Sequence, residues 1–320
     1  MNICILGLGV IGTTYAYAFQ KAGHQVEHLV RKEKRVTCPQ ILQVKLLDGR
    51  FQSKGQETED DYSVALAKDK SSYDFIFVSV RSGKLQAAID SLRQAEIKGT
   101  LVIFCNLWLE RQEIEAIVGD YPYILAFPTA GGHMSDKILG AVLFDHVMLE
   151  RKERADVSNY ENLVKLFDSA HIKQELPHDM LEWIWLHMAI NAGVTSTAST
   201  LGDLEDPQKL ALALMDDRKN LARAIQAIRE TVQVVAARQV NLKLYKNELL
   251  PYKIPIWIAS RLMKHLFASN ELTRRIMTLH NDKNDILYAC QEVYQTGLEA
   301  KLSMPVFAAN MSKIEEKLKE

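Results

Sequence analysis

Residues 3–12 run Ile-Cys-Ile-Leu-Gly-Leu-Gly-Val-Ile-Gly, and this stretch constrains the chain more than any other. A short apolar run leads directly into Gly7, Gly9 and Gly12. Residues 13–21 suit a helix, Gly23 suits its end, and residues 25–30 suit a second strand. Strand, tight turn, helix and strand within about thirty residues is the grammar of a dinucleotide-binding βαβ unit. Each glycine has its own task there: Gly7 permits the turn, Gly9 lets the backbone approach a pyrophosphate, and Gly12 lets the helix lie against the strands. Phosphates then rest on the unpaired N–H groups at the positive end of the helix. The same glycines would also serve a tight turn in another α/β protein. The order of the elements around them favours the nucleotide site.

The end of the second strand indicates which dinucleotide. An NAD site usually places Asp or Glu there to accept from the ribose 2′-hydroxyl. This chain has Arg31 and Lys32, then Lys34 and Arg35, with only Glu33 between, and Glu27 falls too early in the strand. A guanidinium fork suits a 2′-phosphate. The expected carrier is therefore NADP(H), with Arg31 as the main contact, against the alternative of a solvated basic loop.

Composition sets outer limits. With 320 residues, 48% of them hydrophobic, the chain is long enough for two domains and a large core. A formal net charge of −1 gives no argument for nucleic acid or an anionic membrane as partner. Cys4, Cys38, Cys105 and Cys290 are scattered without CxxC or metal-ligand spacing, as expected of reduced thiols in a cytoplasmic protein without a bound metal. Residues 3–6 run straight into the glycine turn, so no signal peptide is expected. No run of about 18 apolar residues suggests a membrane span.

Further strands are expected at residues 41–47, 73–80, 101–105 and 124–127, with a last short one at 172–176. Residues 48–50 suit a hairpin turn, residues 52–61 are polar and expected to be exposed, and residues 140–150 are hairpin-like. Arg81 and Lys84 follow one buried strand and Asn106 follows the next, and ligands of doubly wound sheets bind at the carboxyl ends of strands. Arg81 is thus a candidate for cofactor phosphate or substrate, or an ordinary basic loop residue. Asn106 is a candidate neighbour of a nicotinamide ring. Residues 128–133 (Pro-Thr-Ala-Gly-Gly-His) are expected to form a flexible loop. Helices are expected at 85–92 and 158–170, then at 208–239, 254–267 and 283–300 with no convincing strand between. The domain boundary is set near Pro177: a nucleotide-binding domain over 1–177 and an all-helical substrate and catalytic domain over 178–320.

Residues 181–197 are apolar on nearly every side, the mark of a buried helix. Yet His187, Asn191 and Thr195 recur every four residues and share one face. Such a row is either stitched to neighbouring helices or faces a polar cleft. A reductase needs a proton donor for the oxygen left negative by hydride addition, and histidine serves at neutral pH.

Together these features resemble the ketopantoate reductase (2-dehydropantoate 2-reductase) family over nearly the whole chain. The resemblance rests on the opening GxGxxG, basic residues after two strands, an Asn after the next, and a Trp-containing helix with polar residues four apart. It rests also on Asp285, on a helix about twenty residues before Pro305. It implies a Rossmann-type doubly wound sheet followed by an all-helical domain of the 6-phosphogluconate dehydrogenase C-terminal type. It also implies NADPH-dependent reduction of a 2-keto acid in an interdomain cleft. The family's cofactor residues fall on Gly7, Gly9, Gly12, Arg31, Arg81 and Asn106. Its substrate-binding Asn falls on Asn191, a second Asn on Thr195, and a substrate-contacting hydroxyl near Thr273. Its proton-donating Lys falls on His187 and its catalytic Glu on Asp285. Glycines that follow the Asn106 position in the family are replaced by Leu107-Trp108-Leu109-Glu110, where Trp108 would crowd the cleft.

The expectation is a keto acid reductase in which His187 and Asp285 act on a substrate held by Asn191, Thr195 and Thr273. An opine- or hydroxyacid-type dehydrogenase of similar plan and a non-catalytic NADP(H)-binding regulator are the rivals. A homodimer is left open.

Overall fold

The computed structural model describes residues 1–279 and 283–319, without the side chain of Asp285. The chain divides into two compact units, Met1–Leu181 and Glu182–Glu320.

The first unit is built from β1 (Asn2–Leu6), α1 (Val10–Lys21), β2 (Gln25–Leu29), α2 (Lys32–Arg35), β3 (Ile41–Asp48), β4 (Gln56–Ser63) and β5 (Ser72–Val78). It continues through α3 (Leu85–Gln94), β6 (Lys98–Ile103), α4 (Arg111–Val118), β7 (Tyr123–Ser135), β8 (Ile138–Leu149), α5 (Tyr160–Ser169) and β9 (Lys173–Glu175). One sheet runs in the order β2-β1-β5-β6-β7-β8-β3-β4, with β9 beside β8. The five strands from β2 to β7 are mutually parallel, as in a Rossmann-type half. Phe75, Ile76, Phe77 and Val78 of β5 are all buried, the continuous apolar run that a parallel strand covered on both faces requires. Tyr15 and Phe19 of α1 meet Phe77, Phe104 and Phe167 in an aromatic core, with Tyr15 edge-on to Phe104 at 4.9 Å between ring centroids. Such pairs contribute about 0.5–1.5 kcal/mol each beyond their area.

One expectation for this unit is corrected. Residues 128–133 are not a flexible loop: β7 continues through them to Ser135, paired antiparallel with β8. The register shifts between Pro128 and Ala130, which accommodates a residue that has no N–H to donate. Gly132 is needed because its Cβ would fall 2.2 Å from the Gly140 carbonyl. Residues 52–61 include no buried residue, as expected, and residues 56–61 lie in a strand, β4, which pairs β3 at the end of the sheet. A sheet end tolerates charge because half its backbone faces water.

The second unit holds α6 (Met180–Ser199, most of it), α7 (Pro207–Met215), α8 (Arg218–Ala237), α9 (Lys246–Lys253), α10 (Ile256–Ser269), α11 (Glu271–Leu279), α12 (Lys283–Glu299) and α13 (Pro305–Lys317). Among the described residues it contains no strand. The run at 208–239 is two helices, not one. The side chain of Asp217 caps α8 at the amides of Lys219 and Asn220, and α7 ends before it. The buried face of α6 is stitched down. A Cβ on Gly193 would meet the Ile228 backbone nitrogen at 2.6 Å, so α6 and α8 touch backbone to backbone there. The Thr231 hydroxyl donates to the Ala189 carbonyl at 2.7 Å. Asn310 of α13 donates to Thr197 at 3.0 Å while accepting from Arg223 at 2.9 Å. Among the described residues no helix is long and apolar enough to cross a membrane.

Candidate active site

In the first unit, β2, β1, β5 and β6 lie side by side and parallel, so their carboxyl ends share one edge. Gly7 follows β1, Arg31 follows β2, Arg81 follows β5 and Asn106 follows β6. The sheet order thus brings four places far apart in sequence onto one edge: the turn of Gly7, Gly9 and Gly12, then Arg31, Arg81 and Asn106. The order departs in opposite directions from β1, towards β2 and towards β5, which marks the crevice where doubly wound sheets bind ligands.

The glycines differ in what they do. Gly7 has φ +83°, a conformation that a side chain would strain, and nothing lies within 4 Å of where its Cβ would be. The space beside Gly9 is equally open. Gly12 is the reverse case: a Cβ there would meet Ile5 Cγ2 and Ser79 Oγ at 2.6 Å, so its hydrogen lets α1 settle on the sheet. The first bond inside α1 runs from the Thr13 N–H to the Gly9 carbonyl at 2.9 Å, so the amides before it have no helical partner. The first turn carries no acidic residue to oppose an anion.

Polar atoms with nothing to bond lie near this turn. Thr13 Oγ1, Ser79 Oγ and Asn106 Oδ1 are buried and find no hydrogen-bond partner among the described residues. Leaving such a group unsatisfied costs about 1–3 kcal/mol. The open turn, the acid-free helix end and these orphaned atoms fit a polar, phosphate-bearing group such as a dinucleotide.

At the end of β2, Arg31 is exposed and its guanidinium lies 3.6 Å from the Glu33 carboxylate. Arg35 is bound to Asp69 at 2.8 Å. Glu27, the only acid within β2, accepts from the Tyr73 hydroxyl at 2.5 Å. Burial, first, and then the Glu27 hydrogen bond raise the Tyr73 pKa, so the phenol keeps its proton. Arg81 is exposed, and its carbonyl accepts from the Lys84 amide at 3.1 Å. Trp108 is buried, with 7% of its surface exposed. A cavity of about 510 Å³ lies beside the start of β7. The cations that line it are already matched, Arg111 by Glu150 and Arg154 by Asp179.

In the second unit, His187, Asn191 and Thr195 line one face of α6 and are half-buried amid buried neighbours. They are bonded to one another. Asn191 Nδ2 lies 2.8 Å from His187 Nε2. The Thr195 hydroxyl donates to the Asn191 carbonyl at 2.7 Å and lies 3.4 Å from Cys290 Sγ, so its one donor is committed within the fold. Burial pushes the Cys290 thiol up to about 11. The Trp183 ring stacks on His187, 5.1 Å between centroids and 14° between planes. Thr273 opens α11, where its amide donates to Asn270 Oδ1 at 2.9 Å. Asp285 falls on α12, but its side chain lies outside the described residues.

Residues 3–157 match the family model described as ketopantoate reductase PanE/ApbA. That match covers a little under half of the chain, and over it the chain resembles the ketopantoate reductase family, whose reaction class is oxidoreduction at a CH–OH carbon. No curated protein matches the chain by sequence. Solved structures share the fold. D-mandelate dehydrogenase, solved with NADH and anilino(oxo)acetate, superposes with a TM-score of 0.70 at 15% identity, covering 99% of this chain and 98% of its own. The 2-dehydropantoate 2-reductase of Geobacter metallireducens gives 0.69 at 12% identity over 99% of both chains. The dimeric ketopantoate reductase of Staphylococcus aureus gives 0.62 at 14% identity, over 99% of this chain and all of its own.

The sequence did not point to His28, which bonds the Gly7 carbonyl, to Tyr62, which bonds His28, or to Ser79 beneath Gly12. Their partners lie tens of residues away, beyond the reach of any local pattern.

Proposed function

We propose that this protein is an NADPH-dependent reductase that converts a small 2-keto acid, ketopantoate-like in having a carboxylate beside the carbonyl, to the 2-hydroxy acid. The observation that carries the reading is the shared edge of β2, β1, β5 and β6. The open glycine turn stands there beside a strand end that offers a guanidinium, while Glu27, the acid of β2, is held by Tyr73. Gly7, Gly9 and the amides that begin α1 would hold the pyrophosphate, Arg31 the 2′-phosphate, and Arg81 and Asn106 the remainder of the carrier. A reduced nicotinamide held by these residues would be the hydride source for a carbonyl carbon. His187 then gives a proton to the resulting oxyanion, so C=O becomes CH–OH. Asn191 suits this role because its amide can serve either form of the ring. Its nitrogen donates to a neutral Nε2, and turned over, its oxygen accepts from a protonated one. Thr195 and Thr273 would hold substrate, Thr195 only as an acceptor. Asp285 would bind a substrate hydroxyl or orient His187. The active form would be a homodimer, as in the S. aureus relative.

The test is oxidation of NADPH and NADH across a panel of 2-keto acids, with ketopantoate and phenylglyoxylate both present. NADPH consumption with ketopantoate or another branched aliphatic acid supports the reading. The likeness to D-mandelate dehydrogenase favours a second one, an NADH-linked aryl hydroxyacid dehydrogenase, which predicts the opposite cofactor and phenylglyoxylate turnover. Tight NADPH binding without consumption of any keto acid would leave a non-catalytic binding protein.

A further inference from the structure

His28 sits in β2 with no exposed surface, and the proposed chemistry gives it no role. Its Nδ1 lies 2.8 Å from the Gly7 carbonyl, and its Nε2 lies 2.6 Å from the Tyr62 hydroxyl. A carbonyl only accepts, so Nδ1 carries the hydrogen, and Nε2 of the neutral ring accepts from Tyr62. The next residue completes the grip: the Gly7 N–H donates to the Leu29 carbonyl at 2.8 Å. Two consecutive residues of β2 therefore hold both polar groups of Gly7, the residue whose φ is +83°. Tyr62, on β4, is itself fully buried, so the ring cannot swing away. Backbone bonds fix the strand here as well, from His28 N–H to the Ala65 carbonyl at 2.8 Å and from Ala67 N–H to the His28 carbonyl at 3.0 Å.

We propose that His28 is a positioning residue for the cofactor: by holding the Gly7 carbonyl it fixes the direction of the turn's amides, and pyrophosphate binding depends on it. The inference rests on the dinucleotide site proposed above. Burial keeps the ring neutral by drawing its pKa down to about 4, so the same tautomer persists through the neutral range.

Geometry supplies the test. The side-chain nitrogen of Asn can take the place of Nδ1, and that of Gln the place of Nε2. Calorimetric titration of the whole chain with NADPH, and with adenosine 2′-monophosphate, which has no phosphate to set on the glycine turn, separates the cases. We expect His28→Asn to bind NADPH within about threefold of the unaltered protein. We expect His28→Gln and His28→Leu to bind at least tenfold more weakly, while all three bind the monophosphate as before. Should His28→Leu fail to fold, the Asn and Gln variants carry the comparison. Equal NADPH affinity in Asn and Gln variants, or an equal loss for both ligands, overturns the proposal. If the unaltered protein binds neither nicotinamide carrier, the site reading itself fails and this inference falls with it. If it binds one and the variants do not differ, only the role of His28 fails.

Discussion

Asn191 holds its amide nitrogen 2.8 Å from Nε2 of His187, one helical turn earlier on α6. With Trp183 stacked on the other side, the imidazole is fixed in plane and rotamer before any substrate arrives. Positioned acid–base groups contribute about a hundred- to ten-thousandfold to rate. His187→Ala should therefore lower kcat by at least about a hundredfold and leave the NADPH dissociation constant unchanged, since His187 is in the other unit from the glycine turn. Steady-state kinetics paired with NADPH fluorescence titration checks both halves. Asn191→Asp should retain more activity than Asn191→Ala, because a carboxylate still accepts from the protonated ring.

Cofactor choice turns on Arg31. Among the described residues its carboxylate neighbour is Glu33, 3.6 Å away, and both side chains are about two-thirds exposed, so that pair contributes little. Arg31→Ala should weaken NADPH binding by about tenfold or more while leaving NADH binding nearly unchanged. Direct titration with each carrier reads the ratio. An equal loss for both would show that the guanidinium does not meet the 2′-phosphate.

Gly12 tests the packing of α1 separately from the chemistry. A methyl group there meets Ile5 Cγ2 and Ser79 Oγ at 2.6 Å, so the helix must lift or the strand must yield. Overpacking of this kind costs about 1–3 kcal/mol. Gly12→Ala should lower the thermal midpoint and weaken NADPH binding together, because lifting α1 moves the amides that begin it. Gly23→Ala offers a control in open space, with only the strain of φ +86° to bear.

What the sequence revealed and what it hid divide along one line. The places of Gly7, Gly9, Gly12, Arg31, Arg81 and Asn106 at strand ends were legible because strand, turn and helix signals lie next to one another, and parallel order then puts those ends on one edge. The polar row on α6 was legible because helical spacing alone places His187, Asn191 and Thr195 together. The course of β7 was not, because Pro128, Gly131 and Gly132 carry breaker signals that a register shift and a close hairpin contact override. Nor was the strand β4, since Glu57, Glu59, Asp60 and Asp61 show only polarity and exposure until β3 supplies their backbone partners. His28 was hidden most fully, since Gly7 and Tyr62 are 21 and 34 residues from it.

That same histidine sets an acid limit on stability. Its folded pKa is about 4, drawn down first by burial and partly restored by the Gly7 hydrogen bond, against an unfolded value of 6.5. Between those values the unfolded chain binds a proton that the folded chain refuses, so unfolding becomes easier as pH falls. Its share of stability is intact above about 6.5, is lost progressively towards 4, and is lost no further below that, where both states are protonated. At about 1.4 kcal/mol per pKa unit, the full loss is about 3 kcal/mol. His28→Asn removes the titration while keeping a donor for Gly7. Its thermal midpoint should therefore fall less steeply than that of the unaltered protein between pH 6.5 and 4, and the two curves should run parallel above 6.5. Parallel curves throughout would mean that the ring accepts a proton without unfolding, and that its bond to Tyr62 can be given up.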